Sequence, residues 1–478
     1  MKPLHHHGLK EMPQLRYMCS HQSIHEERIG RFGRMFQDHP GMMINPASLI
    51  EMGKKGGPMD GGNTDDLTHN VPLGMVYFGQ FIDHDITLDT TSSFNAANIA
   101  TEIENFRTPA LDLDCIFGEG PEDEPFLYES ESLRLLTGKT NNNIGQGVNL
   151  ESEDLARNGQ GKAIIGDPRN DENRIVSQLQ LAFIRFYNAI YAHVEAQNPQ
   201  ADAKHIYEEA RKITTWHYQW IVIYEFLPTM CGEAVVDRIL GKGRTYYKPN
   251  QRAYIPVEFS IGVYRFGHSM ITQKVKLQTS GSTFDLFSNN IGGGFSKITS
   301  QNQVIDWECF FDFDGTYQRA AKLDMKLAST LLELPFIKPV SPKSSLATRN
   351  LLRGQSFFLP SGEVIATCMG RDATEIAEVR NHVLNAINGY NIDFDAGCPL
   401  WAYVLAEAAD IGREDKDGFK TGEGLGPVAA TIVAEVIIGL IELDENSFMG
   451  SDRNWQPTLG TTGHFTIKDL LSISKNGI

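Results

Sequence analysis

Long apolar runs are missing from this sequence. The most apolar stretch, Val428–Leu443, is interrupted by Thr431, Glu435 and Gly439, so it reads as a buried core helix and not as a membrane span. Residues 1–40 carry His5, His6, His7 and many charges but no apolar stretch of the kind a secretory leader needs. The expectation is therefore a cytoplasmic protein, or one exported by a non-classical route, with no transmembrane segment. Cysteine is scarce and scattered: Cys19, Cys115, Cys231, Cys309, Cys368 and Cys398 form no CxxC pair. That speaks against zinc fingers and thioredoxin-like sites and leaves free, mostly buried thiols as the expectation. Basic residues are also short. Lys and Arg number 43 against 60 Asp and Glu, a formal net charge of -17, which disfavours nucleic acid and anionic membranes as partners. Strand-like alternation is scarce, and no internal repeat is visible.

What the chain does have is length and helical periodicity. Its 478 residues, 41% hydrophobic and 22% charged, suffice for a large core. Residues 1–70 are rich in Gly, Pro, Asn, Asp and Met, and Gly56–Asn70 reads as loop. The expected architecture is mainly α with little β structure. An extended arm over 1–70 leads into one catalytic domain over 71–478. Helices are expected at Val76–Leu88, Val176–Gln197, Ala203–Phe226, Pro256–Ile271, Ala320–Leu334, Leu346–Gly354, Ala373–Asn388, Pro399–Ile411 and Pro427–Leu443. In the second of these Leu179, Phe183, Phe186 and Ile190 share one stripe.

Five short segments carry polar chemistry. In GQFIDHDITL, Gln80 and His84 share a helix face and Asp83 and Asp85 flank the histidine; charges on so apolar a helix need partners. An ordinary ion-pair cluster would look the same. In IGDPRNDEN, Arg169 and Glu172 lie three apart at a helix start, where acids are commonplace. In VYRFGHSM, Gly267 directly precedes His268, and a small residue there lets a flat cofactor approach the backbone; a lone histidine in such a helix is more often a satisfied core residue. In ATRNLLRG, Asn350 and Arg353 are one turn apart, and an Asn amide suits the second nitrogen of a metal-bound histidine. In RTPALDLDCIFG, Thr108, Asp112 and Asp114 offer hard oxygen ligands for Ca²⁺ without the glycine and terminal Glu of an EF-hand.

Taken in order, these segments resemble the animal-type haem peroxidases of the peroxidase–cyclooxygenase superfamily, and in particular their shorter bacterial members, from about Arg31 to the C-terminus. QFIDHD is similar to the distal-histidine motif of that family, GDPRNDEN to its distal-arginine segment and YRFGH to its proximal-histidine motif. RNLLR is similar to its Asn-x-x-Arg segment, and TPALDLD to its calcium loop. The resemblance implies haem b as cofactor, with hydrogen peroxide and a small electron donor or halide as substrates. It assigns His84 as distal acid–base, Arg169 as distal cation, Gln80 to the peroxide side, His268 as axial iron ligand and Asn350 as its orienting partner. Arg353 and Arg265 are implied at the haem propionates. Asp85, Thr108, Ala110 through its carbonyl, Asp112 and Asp114 are implied as Ca²⁺ ligands, and Asp83 and Glu172 as the acids that form ester bonds to haem methyls. Asn173 stands where a halide-oxidising member carries a sulfonium-forming Met, so no sulfonium link is expected.

Two other readings differ in class. A fatty-acid dioxygenase on the same scaffold uses a tyrosine three residues before the proximal histidine. Here that position is Arg265, and Tyr264 is rotated from it by about 100° on a helix. A haem-free adhesion or scaffold relative would lack His84, Arg169 or His268, and all three are present.

Overall fold

The computed structural model describes residues 30–89, 98–138, 150–250, 252–292, 294–461 and 463–478. Cys19, the histidine run and residues 1–29 of the expected arm lie outside them. The first half of the chain runs β1 (Gly30–Gly33), α1 (Pro46–Gly53), β2 (Leu67–Pro72), α2 (Leu73–Ile86), β3 (Glu104–Asn105), α3 (Asp114–Phe117), α4 (Arg174–Gln197), α5 (Ala203–Ile221), α6 (Leu227–Cys231) and α7 (Glu233–Lys242). The second half runs β4 (Ile255–Pro256), β5 (Lys274–Lys276), β6 (Thr283–Asp285), β7 (Arg319–Ala321), α8 (Leu346–Ser356), α9 (Gly362–Cys368), α10 (Ala373–Ala386), α11 (Leu400–Asp410), β8 (Arg413–Asp415), β9 (Gly418–Lys420), α12 (Pro427–Leu443), α13 (Phe448–Ser451) and α14 (Ile467–Asn476).

The core is built on α4. Its first turn is satisfied by Asn173, whose side chain accepts hydrogen bonds from the Ile175 and Val176 amides at 3.1 and 3.0 Å. Leu179, Phe183, Phe186 and Ile190 are all buried, as their spacing requires. Phe183 stacks on Phe81 of α2 with ring centroids 4.6 Å apart and meets Tyr218 of α5 edge-on at 5.6 Å, which locks the three helices together. The helix of α5 does not stop at Ile221 but widens into a π-turn over Val222–Phe226 before Pro228, which has no amide hydrogen to donate. Helix α12 keeps the bounds Pro427–Leu443 and is buried almost throughout. Among the described residues no helix is long and apolar enough to cross a membrane.

Among the described residues strand structure is confined to short pieces: β1 between β3 and β4, and the pairs β2–β7, β5–β6 and β8–β9. Two expected helices are corrected. Pro256–Ile271 begins as the strand residues Ile255–Pro256 beside β1, then forms a π-turn at Glu258–Gly262 and a 3-10 segment at Val263–His268. Gly262 sits at the junction, where a Cβ would lie 2.8 Å from Leu400 Cδ2, so glycine lets α11 approach closely here. Ala320–Leu334 is not helical apart from the 3-10 turn Ser329–Leu332. Its backbone donors are taken by distant strands and loops: Ala321 by the Met270 carbonyl, Lys322 by Asp66 and Leu327 by Met59. Residues 30–70 are likewise not loop alone, because α1 packs on α8 and Leu67–Asn70 belong to β2. Of the cysteines, Cys115, Cys231, Cys309 and Cys398 are buried free thiols, and Cys368 is half-buried beside His39.

Candidate active site

Helix α2 is apolar on nearly every side, and its few polar residues are placed by the strand and loops around it. His84 is buried, with Nδ1 2.7 Å from Asn170 Oδ1. Burial and the nearby Arg169 charge lower its pKa to about 4, so the ring is neutral at neutral pH with Nε2 left as a base. Arg169 is tied down at its Nε and Nη2. These reach Asp167 at 3.1 and 2.7 Å, and Nη2 also donates to the carbonyls of His84 at 3.0 Å and Thr87 at 2.6 Å. Its Nη1 makes no hydrogen bond among the described residues. Burial opposes ionisation of Asp167, but Arg169 and Arg107 hold its carboxyl well below the usual carboxylate range. Glu172 accepts a hydrogen bond from Gln80 Nε2 and lies 3.9 Å from His84 Nε2. Burial raises Glu172 to about 7, against the pull of Arg169. Asp83 accepts from Thr87 Oγ1 at 3.0 Å.

The 3-10 segment Val263–His268 packs against α2, with the Tyr264 hydroxyl donating to the Gly79 carbonyl at 3.2 Å. Trp401 Nε1 steadies it from α11 by donating to the Arg265 carbonyl at 3.3 Å. The Asn350 amide, buried on α8, lies 2.8 Å from His268 Nδ1 with its nitrogen toward the ring, leaving Nε2 unengaged by Asn350. Burial and the Arg265 charge lower His268 to about 3, so this imidazole too is neutral.

Gln80, Asp83, Glu172, Arg265, His268 and Arg353 all keep part of their surface open although the elements around them are buried. Helix α2 packs against the 3-10 segment, and Arg265, near His268, feels the charge of Asp83. Arg265 has its Nε enclosed without a hydrogen-bond partner, and burial and the Arg353 charge lower its pKa to about 10. An under-paired buried guanidinium is a receptor for a carboxylate. A Cβ on Gly267 would meet only Val76 Cγ1 at 3.6 Å, so protein packing does not fill the space beside the histidine. A neutral histidine, an open flank and buried cations are what a haem with two propionates requires, and the residues present fit it. Arg353 is already paired with Asp89, an acid the sequence did not single out.

Asp85, Asp112 and Asp114 come together with a carboxylate oxygen of each within 4.8 Å of the others. Thr108 joins them, its hydroxyl donating to Asp112 at 3.0 Å and its amide approaching Asp114 at 3.4 Å. Oδ1 of Asp85 and Oδ1 of Asp114 are buried without hydrogen-bond partners, although the latter faces Arg107 Nη1 at 3.3 Å. Burial and the neighbouring Asp112 raise Asp85 to about 7. Oxygen-only donors under mutual repulsion fit a divalent hard cation. Ala110, half-buried, lies between Thr108 and Asp112 in the same loop.

Sequence reasoning missed Asn170, Gln180, Asp167 and Asp89. Each has at least one partner far away in the chain: Arg107 for Asp167, His84 for Asn170, Cys115 for Gln180 and Arg353 for Asp89.

The sequence model of the animal haem peroxidases matches residues 93–361, more than half of the chain, and the chain belongs to that family. Gln80, Asp83, His84 and Asp85 precede the matched stretch. A chorion peroxidase of Aedes aegypti is 28% identical over 201 residues, covering 40% of this chain and 25% of the relative. A Caenorhabditis elegans peroxidase, mlt-7, is 34% identical over 191 residues, covering 39% and 25%. The matches thus span about a quarter of these relatives' length. Among solved structures, peroxidase A of Dictyostelium discoideum shares the fold with a TM-score of 0.65 at 15% identity, covering 94% of this chain and 92% of that one. A fatty acid alpha-dioxygenase of Arabidopsis thaliana does so with a TM-score of 0.57 at 16% identity, covering 90% and 74%.

Proposed function

We propose that the protein is a haem peroxidase that reduces hydrogen peroxide and oxidises a small organic donor or a halide. The observation that carries this reading is the packing of α2, with His84 beside Arg169, against the 3-10 segment that carries His268 beside Asn350, both imidazoles being neutral. Bound ferric haem supplies an open iron position for peroxide and the redox change. His268 would hold the iron through Nε2, and the Asn350 amide, turned to present its oxygen, would accept the Nδ1 proton. Arg265 and Arg353 would face the propionates. Nε2 of His84 takes a proton from one peroxide oxygen and returns it to the other, help worth roughly 10²–10⁴-fold. Nη1 of Arg169 faces the negative charge that develops as the O–O bond breaks, and Gln80 lines the same side. Asp83 and Glu172 are the acids for ester bonds to haem methyls. Ca²⁺ would bind Asp85, Thr108, the Ala110 carbonyl, Asp112 and Asp114. Asn173 caps α4, in keeping with no sulfonium link.

The test is the absorption spectrum of the haem-loaded protein before and after one equivalent of peroxide. A high-spin ferric Soret band that converts promptly to an oxidised form is the expected result. A spectrum indifferent to peroxide overturns the reading. The second reading, a fatty-acid dioxygenase, has the fold likeness in its favour and then moves ahead. Oxygen uptake with linoleate that vanishes in Tyr264→Phe would establish it, and no uptake with any fatty acid would remove it.

A further inference from the structure

Three buried residues behind His84 settle which of its nitrogens carries the proton. The argument starts from the Cys115 backbone carbonyl, which can only accept. Gln180 Nε2 donates to it at 3.1 Å, so Gln180 must present Oε1 in the other direction. That oxygen accepts from Asn170 Nδ2 at 2.8 Å, so Asn170 must present Oδ1 to His84. An amide oxygen has no proton to give. The 2.7 Å contact with His84 Nδ1 is therefore a hydrogen bond from a protonated Nδ1. Asn170 and Gln180 are fully buried, so water does not compete for these groups. Flipping either amide would place donor against donor, or acceptor against acceptor.

We propose that Asn170, clamped by Gln180 on the Cys115 carbonyl, is a positioning residue that holds His84 in its Nδ1–H tautomer and keeps Nε2 free as the base. The catalytic consequence rests on the peroxidase reading; the tautomer itself does not. Both residues are fully buried and act through the His84 ring. They act by fixing the ring's proton and plane, as a second set of partners does for a catalytic histidine.

The test uses the full-length haem-loaded protein in its diamagnetic ferrous carbonyl form, labelled with ¹⁵N histidine. Two-bond nitrogen–proton correlations read the tautomer of His84 directly. The wild type is expected to show Nδ1–H. Asn170→Leu is expected to show Nε2–H or a mixture, with the second-order rate of reaction with peroxide lowered about a hundredfold and the ferric Soret position unchanged. Asn170→Asp retains the acceptor and is expected to restore the tautomer. Gln180→Leu frees the Asn170 amide to flip and serves as the second variant if Asn170→Leu does not fold. An Nδ1–H signal unmoved in the variants overturns the proposal, as does a wild type in the Nε2–H form. If the wild type ignores peroxide yet loses Nδ1–H in Asn170→Leu, the peroxidase reading fails and the positioning role stands. If the wild type reacts but the Nδ1–H signal stays in Asn170→Leu, the positioning role fails and the peroxidase reading stands.

Discussion

Asp83 and Glu172 are held by different partners. Asp83 is held by the Thr87 hydroxyl from its own helix, one turn on. Glu172 is held by Gln80 and, with burial raising it to about 7, is about half protonated near neutral pH. An ester to a haem methyl replaces a C–H bond by a C–O bond and releases a proton and two electrons, which peroxide takes up to give water. The attacking group is the carboxylate, so the Glu172 link should form faster as pH rises through about 7. Acid extraction of peroxide-treated protein is expected to leave the haem on the chain. Glu172→Gln and Asp83→Val should each remove one link, read by mass spectrometry of haem peptides. Free haem b recovered in full from the wild type would refute both links. At this scale His84, Arg169, His268 and Asn350 were singled out by the order of their motifs and the family which that order resembles, since each segment alone also fits an ordinary structural role. Asp167 was not. It reads as an ordinary helix-start acid, and only the fold shows it buried between Arg107 and Arg169.

Whole elements were legible where the apolar pattern within the element decides them, as one stripe or as an apolar run throughout. The stripe of α4 and the apolar length of α12 each predicted a helix that forms. Residues 320–334 were misjudged because their backbone donors find partners in other strands and loops, a tertiary effect that periodicity cannot report. The N-terminus of α12 has its own hidden partner. Glu407 of α11 accepts from the Val428 and Ala429 amides at 3.1 and 3.3 Å, and burial raises its pKa to about 7. Between the unfolded value near 4.5 and the folded value near 7, the unfolded chain is ionised while the folded protein holds the proton. Glu407 therefore makes stability fall as pH rises through that window, by of order 1–3 kcal/mol, and level off above it. Glu407→Gln keeps an acceptor at the cap and cannot ionise. Its stability in urea relative to the wild type should climb from pH 5 to pH 7. Parallel pH profiles for the two proteins would count against this role.

The acidic loop joins these local facts across the molecule. Asp85 is chain neighbour to His84. Cys115, next to Asp114, anchors Gln180 and through it Asn170. Arg107 bridges Asp114 at 3.3 Å to Asp167 at 2.6 Å, and Asp167 holds Arg169. Three routes thus lead from the carboxylate cluster to the two side chains proposed to handle peroxide. Without a cation, Asp85, Asp112 and Asp114 repel one another in a buried setting, and the loop can relieve that only by moving or by taking up protons. Chelated, calcium-free protein is therefore expected to melt at a lower temperature, with an altered Soret band and slower reaction with peroxide. A cation present at a hundred times its dissociation constant would stabilise the fold by about 2.7 kcal/mol. Ca²⁺ should restore all three properties, whereas Mg²⁺, which needs a tighter octahedral shell, should not. Asp112→Asn should raise the Ca²⁺ concentration needed. If metal analysis confirms removal and the spectrum, rate and melting temperature stay as they were, the cluster is no Ca²⁺ site. In that case Arg107 and Arg211 balance the buried acids.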